Sequence, residues 1–310
     1  MTPFHGSIWS RARTANNYYI YKGSYPEERN QIYQLQCQAR LVPARQIKTN
    51  TMNMKTYILL LVSALAMLAA SCNQGKNRDN QVSSEAVEPE LPAMNALTAE
   101  EESDGWILLF DGKTTAGWKN FNQDTISGWM VEDGCLVGLG LGGDIGGDIV
   151  SVGEYANFIL KWDWKLGNHG NSGVMYHVLE GETYGAPYAT GPEYQLIEDD
   201  DFREKGEPYP LEEWQKTAAD YAMYPASDEK QVNVRDWNSS KIVFTEEKAE
   251  YWINGKMVVE FVPWSDDWNE RRNSGKWDAY PDYGLARTGK ICLQDHGSKV
   301  WFRNIKIKEL

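Results

Sequence analysis

Histidine is scarce in this chain, with four residues in all, and only His169, His177 and His296 lie beyond residue 100. With so few imidazoles, each is a candidate for acid, base or ligand duty. Positive charge is missing from most of the sequence. The formal net charge is −13, yet residues 1–53 hold seven Lys/Arg against two Asp/Glu, so the remainder carries −18. An acidic surface repels a phosphate backbone, which excludes nucleic acid as a partner. Neither an internal repeat nor a βαβ alternation appears, and the single apolar run, Thr56 to Ala70, is shorter than the roughly 20 residues of a membrane-spanning helix.

That run instead reads as an address. Met54 and Lys55 provide a charged start, the apolar core follows, and small residues lead to Cys72. Leu68-Ala-Ala-Ser-Cys72 resembles a bacterial lipobox, so residues 54–72 are expected to be a lipoprotein signal with Cys72 as the lipid attachment point. Residues 1–53 then lie upstream of where a signal begins and are expected to be an over-extended gene start, disordered. Residues 73–96, polar and without aromatics, are expected to tether an exported domain, 97–310, to the cell envelope. The lipid would be the only membrane contact. Cys135 and Cys292 are the cysteines left in the domain. A disulfide and two buried thiols are both open to them.

Twelve of the thirteen Trp lie beyond residue 100. Large aromatics fill cores, but flat rings beside carboxylates and amides also suit a sugar, whose C–H face stacks while its hydroxyls hydrogen-bond. Short apolar or alternating runs recur between Gly, Asn and Asp: Trp106–Phe110, Trp129–Val131, Cys135–Val137, Phe158–Leu166, Gly173–Leu179 and Tyr194–Ile197. Further runs are Lys241–Thr245, Glu250–Ile253, Lys256–Phe261, Lys290–Leu293 and Val300–Ile307. Phe158 to Leu166 alternates with period two, and Asn254-Gly255 marks a tight hairpin. Only Leu211–Tyr221 has a helical look. The spacing predicts an all-β, jelly-roll β-sandwich with minor short helices.

Several motifs then occur together: Leu109-Phe-Asp-Gly-Lys113 with Gly117-Trp118, Trp129-Met-Val-Glu-Asp-Gly134, Gly170-Asn-Ser-Gly-Val174 and Gly191-Pro-Glu-Tyr-Gln195. Trp252-Ile-Asn-Gly255, Ile291-Cys-Leu-Gln-Asp-His-Gly297 and Val300-Trp-Phe-Arg-Asn-Ile-Lys-Ile307 complete the set. In that order they resemble the 3-keto-disaccharide hydrolase domain family over essentially all of residues 97–310. The resemblance implies a concanavalin-like jelly roll and a secreted, carbohydrate-active protein.

Alternation along a strand puts Glu193 and Gln195 on one face, and places Gly173, Met175 and His177 together on the neighbouring strand. Asn171 joins them if the two strands pair. Glu193, His177 and His296 are the candidate catalytic residues, with Asn171, Gln195, Asp199, Gln294 and Arg303 as candidate carbohydrate contacts. His169, in a Gly/Asn turn, is read as structural. Trp301 and Arg303 are expected on one side of the last strand, with Phe302 and Asn304 on the other. Arg303 is either a sugar anchor or a partner of a surface carboxylate.

A 3-keto sugar suits such a set, because the ketone acidifies the proton on C2. A base such as Glu193 or His177 removes it, a cationic group holds the enolate, the C1 substituent leaves, and water then adds. A divalent metal on His177, Glu193, Asp199 or His296 would be another source of positive charge, although no metal-spacing motif marks one. Two rivals remain. One is a non-catalytic carbohydrate-binding lipoprotein. The other is a conventional β-glucanase suggested by Glu193-Tyr-Gln-Leu-Ile-Glu198, in which Gln195 stands where such enzymes carry a second acid.

Overall fold

The computed structural model describes residues 93–142 and 147–310. The signal, the lipobox Cys72 and most of the tether lie outside the described residues. Chain order begins with a short helix α1 (Ala99–Ser103), closed by a Thr98–Glu101 capping box, then β1 (Trp106–Leu108), β2 (Trp118–Asn120), β3 (Trp129–Glu132) and β4 (Cys135–Gly138). There follow β5 (Ile149–Tyr155), β6 (Phe158–Leu166), β7 (Asn171–Val178) and β8 (Glu193–Ile197). The small hairpin β9 (Arg203–Glu204) and β10 (Glu207–Pro208) precedes β11 (Asn238–Phe244), β12 (Ala249–Ile253) and β13 (Lys256–Phe261). A helix α2 (Asp266–Arg272), β14 (Gly289–Leu293) and β15 (Val300–Glu309) complete the chain.

Two sheets form the jelly-roll sandwich. The larger runs β13-β12-β11-β6-β15-β4-β3, with β1 on the far end of β15, and the smaller runs β2-β5-β14-β7-β8. The pattern of β6 explains its central place. Phe158, Leu160, Trp162, Trp164 and Leu166 all point inward, while the residues between them are half-exposed. From the smaller sheet Val174, Tyr176, Tyr194 and Leu196 meet them. Some polar tips inside this aromatic core are paired: Trp164 Nε1 donates to Ser240 Oγ at 2.8 Å and the Tyr251 hydroxyl donates to Tyr176 Oη at 3.0 Å. The expected hairpin is present, with Asn254 and Gly255 at φ 46° and 82° between β12 and β13.

Three local departures from the sequence reading matter for the site. Leu211–Tyr221 is not a helix. Only Glu213–Gln215 makes a 3₁₀ turn, and Ala218 takes φ 67°. The segment instead seals the free edge of β8, where the Gln195 amide donates to the Ala219 carbonyl, and the Ala218 and Tyr221 amides donate to the carbonyls of Gln195 and Glu193. The second departure is in β7, where His177 at φ 54° makes a bulge. Val178 pairs with Lys290 and Met175 with Cys292, leaving two residues of β7 opposite one of β14. The third is in β15, where Asn304 at φ 53° shifts the alternation. Phe302, Ile305 and Ile307 all face the core, while Arg303 and Asn304 both meet Asp163. Cys135 and Cys292 lie in different sheets and are both free and buried, which realises the two-thiol alternative.

Candidate active site on the smaller sheet

Glu193 opens β8 with its side chain on the outer face of the smaller sheet, and the pairing of Gly173 with Gln195 and of Met175 with Glu193 sets its surroundings. The carboxylate folds back across Gly173. A Cβ there would stand 2.1 Å from Glu193 Oε1 and 2.9 Å from its Cδ. The Asn-Ser-Gly turn thus needs its glycine because the carboxyl group occupies the side-chain space. Glu193 and Gln195 are only 4% and 3% exposed. Burial pushes the Glu193 carboxyl up to about 8, with Lys276 opposing the rise and Asp148 adding to it.

Around Glu193 the sheet presents acceptors that the protein leaves unused. Asn171 Oδ1 and Gln294 Oε1 are buried and receive no hydrogen bond from a described residue. Both residues are otherwise tied in place, Asn171 through its backbone to Ser298 Oγ and Gln294 through its amide to the Gly173 carbonyl. Buried acceptors without donors are rare in folded proteins, and here they suit the hydroxyls of a bound sugar. Gln294 also lines an open cleft of about 440 Å³ with Asp148, Tyr184, Tyr188, Asp295 and His296.

Asp148, at the entrance to β5, accepts the Asp295 amide at 2.9 Å. Burial raises its carboxyl to about 7 against that hydrogen bond, and the nearby Asp295 charge adds to the rise. Asp295 itself organises the rim, accepting the amides of Leu141 and Gly297. Lys276 completes the set. Its Nζ lies 4.3 Å from the ring centroid of Tyr221, 4.6 Å from Trp277 and 5.4 Å from Tyr188. The rings are themselves packed, Trp277 stacked on Tyr283 at 3.7 Å and Tyr188 edge-on to Tyr280 at 5.6 Å. Crowding pulls the Lys276 amine below the usual lysine range, while the Glu193 carboxylate opposes the fall.

Of the residues expected from sequence, Glu193, Gln195, Asn171, Gln294 and His296 lie on this side of the smaller sheet, His296 exposed at the cleft rim. His177 does not. Its bulge turns the ring into the core against Phe158, Tyr176 and Phe244, with Nε2 2.8 Å from the Ala156 carbonyl oxygen, and burial lowers its proton affinity to about 4. Asp199 lies past the far end of β8, accepting the Thr217 amide at 2.7 Å and pairing with Lys230 at 2.8 Å. Arg303 is on the larger sheet, 3.8 Å over Trp237 and 3.4 Å from Asp163, the structural alternative of its two readings. Glu198 is held by Arg235 and by the His169 amide, away from the role its spacing with Glu193 suggested. The four proposed metal ligands are therefore not gathered, and the described residues contain no group of three or more His, Cys, Asp or Glu placed for a metal.

Asp148, Lys276 and Tyr188 were absent from the sequence reading. Asp148 hides in a glycine-rich stretch that does not read as a strand. Lys276 sits in a 3₁₀ turn, Gly275–Ala279, where the one available signal was a lone lysine just before the aromatic run Trp277, Tyr280 and Tyr283.

Residues 105–308 match the profile of the family described as the 3-keto-alpha-glucoside-1,2-lyase-like domain. The chain belongs to this family. It is 30% identical over 276 residues to a 3-keto-disaccharide hydrolase of Bacteroides thetaiotaomicron, an alignment covering 81% of this chain and 94% of that protein. A solved structure from Parabacteroides distasonis, provisionally designated a glycosyl hydrolase, is 52% identical with a TM-score of 0.65, covering 70% of this chain and all of the other. A second structure of the same designation and organism is 27% identical with a TM-score of 0.50, covering 66% and 99%. Membership and these relatives establish a carbohydrate hydrolase of the glycosidase type.

Proposed function

We propose that this family member cleaves 3-keto-glycosides by removing the C2 proton, eliminating the C1 substituent and adding water. The observation that carries the reading is a buried carboxyl without an ion pair, Glu193, folded over Gly173 on the face where Asn171 Oδ1 and Gln294 Oε1 hold unused acceptors. Burial raises it to about 8 with Asp148 adding to the rise, and burial raises Asp148 to about 7. Glu193 takes the C2 proton. Asp148 protonates the departing C1 oxygen, Lys276 answers the charge that develops at C3, and Asn171 and Gln294 receive sugar hydroxyls. The elimination named in the family description supports this sequence of steps. The signal-like segment ending at Cys72 supports an exported, lipid-anchored protein acting at the cell envelope.

The productive form has Glu193 ionised and Asp148 protonated. Its fraction is greatest midway between the two values and declines as pH falls below about 7 or rises above about 8. The purified chain should therefore show a bell-shaped rate profile on a 3-keto disaccharide, with its maximum between those limits, and leave the matched unoxidised disaccharide intact. Cleavage of the unoxidised sugar at a comparable rate would favour ordinary glycoside hydrolysis instead.

A further inference from the structure

We propose that Lys276 is a Schiff-base lysine, whose amine condenses with the C3 ketone of the sugar so that the C2 proton is lost from an iminium rather than from the free ketone. The inference deepens the keto-glycoside reading and rests on it. Lys216, Lys230, Lys248, Lys299 and Lys306 each meet a carboxylate within ion-pair distance. Lys276, like Lys161, Lys165 and Lys241, makes no ion pair or hydrogen bond to a described residue, and what sets it apart is its place, over three rings at once, one of them Tyr188 of the cleft wall. Its side chain brings Nζ over three ring faces. Such rings favour a cation without supplying a counter-ion. That suits a nitrogen that must be neutral to attack and positive afterwards. Partial burial lowers the proton affinity of the free amine against the Glu193 charge, and a lowered affinity is the usual means of activating a lysine for carbonyl chemistry.

Solvent supplies the proton that carries the C3 oxygen away as water, and the Glu193 carboxylate, the form that the elimination requires, takes the acidified C2 hydrogen. The atoms balance throughout. The amine lone pair forms the C3–N bond, and the carbonyl oxygen departs as water. The C2–H electrons become the C2–C3 double bond of an enamine as Glu193 takes the proton. Those electrons then form a C1–C2 double bond as the C1–O bond breaks, with Asp148 protonating the leaving oxygen, and the iminium is restored. Water adds at C1, a proton returns to C2, and a second water hydrolyses the iminium to release the keto sugar and free Lys276. No oxidant or reductant is required.

The test is reductive trapping. The full chain is incubated with methyl 3-keto-α-D-glucopyranoside and sodium cyanoborohydride, then analysed by intact mass and peptide mapping. One sugar per chain on the peptide holding Lys276 is expected. Lys276→Arg, which keeps the charge but forms no imine, should take up no label and lose roughly a thousandfold in kcat at unchanged melting temperature. Turnover by the native chain without an adduct, with Lys276→Arg retaining activity within about tenfold, would overturn the covalent step and leave the keto-sugar reading standing. Label spread over many lysines and unchanged in Lys276→Arg would overturn it as well. Neither turnover nor adduct would instead sink the keto-sugar reading, and this inference with it.

Discussion

The two outer faces of the sandwich carry the same residue types to opposite ends. On the larger sheet, lysines and an arginine lie over tryptophans: Lys161 is 4.4 Å from the Trp106 ring, Lys165 4.8 Å from Trp301, Lys241 3.8 Å from Trp252 and Arg303 3.8 Å from Trp237. The carboxylates there are answered too, Glu132 by Lys299 at 3.0 Å, Glu101 by Lys306, and Asp163 by Arg303 and Asn304. On the smaller sheet Glu193 is buried without an ion pair, and Asn171 and Gln294 hold unused acceptors. Paired, solvated groups add about 1 kcal/mol or less each. Unpaired groups held from water are poised to react. The difference locates the chemistry on the smaller sheet better than any count of aromatics.

The contrast can be broken from either side. Glu193→Gln keeps the shape and removes the base, so kcat should fall by about a thousandfold, while the melting temperature holds or rises because a buried ionisable group is gone. Gly173→Ala should cost about ten- to a hundredfold in kcat, since the new methyl displaces the carboxylate that now lies 2.1 Å from its position. Asp148→Asn removes the group that must be protonated, so the alkaline limb of the rate profile should vanish, with a smaller loss of rate for substrates whose leaving group needs little protonation. At the small end, Trp252→Ala on the larger sheet should leave kcat unchanged and shift stability by about 1 kcal/mol, read by thermal melting.

Much of this arrangement was legible in the sequence wherever a local rule decides the outcome. The alternation of Phe158 to Leu166, the Asn254-Gly255 turn and the shared face of Glu193 and Gln195 all follow from the period of a strand, and the structure has them so. What period two could not foresee is a change of phase. One left-handed residue, His177, carried its ring from the cleft wall into the core. Gly289 records that bulge, since a Cβ there would stand 2.5 Å from the His177 carbonyl carbon. Asn304 does the same for Arg303 on the last strand. Asp148 and Lys276 were illegible for another reason. They lie more than a hundred residues apart, Asp148 just before β5 and Lys276 in a 3₁₀ turn, Gly275–Ala279, and only the closed sandwich brings their charges to bear on Glu193. The helical look of Leu211–Tyr221 failed because its backbone groups serve the edge of β8 rather than one another.

The central claim is that Glu193 removes a proton from C2 of an oxidised sugar. Proton NMR of the reaction in deuterium oxide tests it most directly, with the native chain and Glu193→Gln acting on the same 3-keto disaccharide. Deuterium should enter C2 of the released keto sugar with the native chain at the rate of cleavage, and the variant should produce neither. Cleavage by the native chain with the C2 hydrogen retained would contradict it.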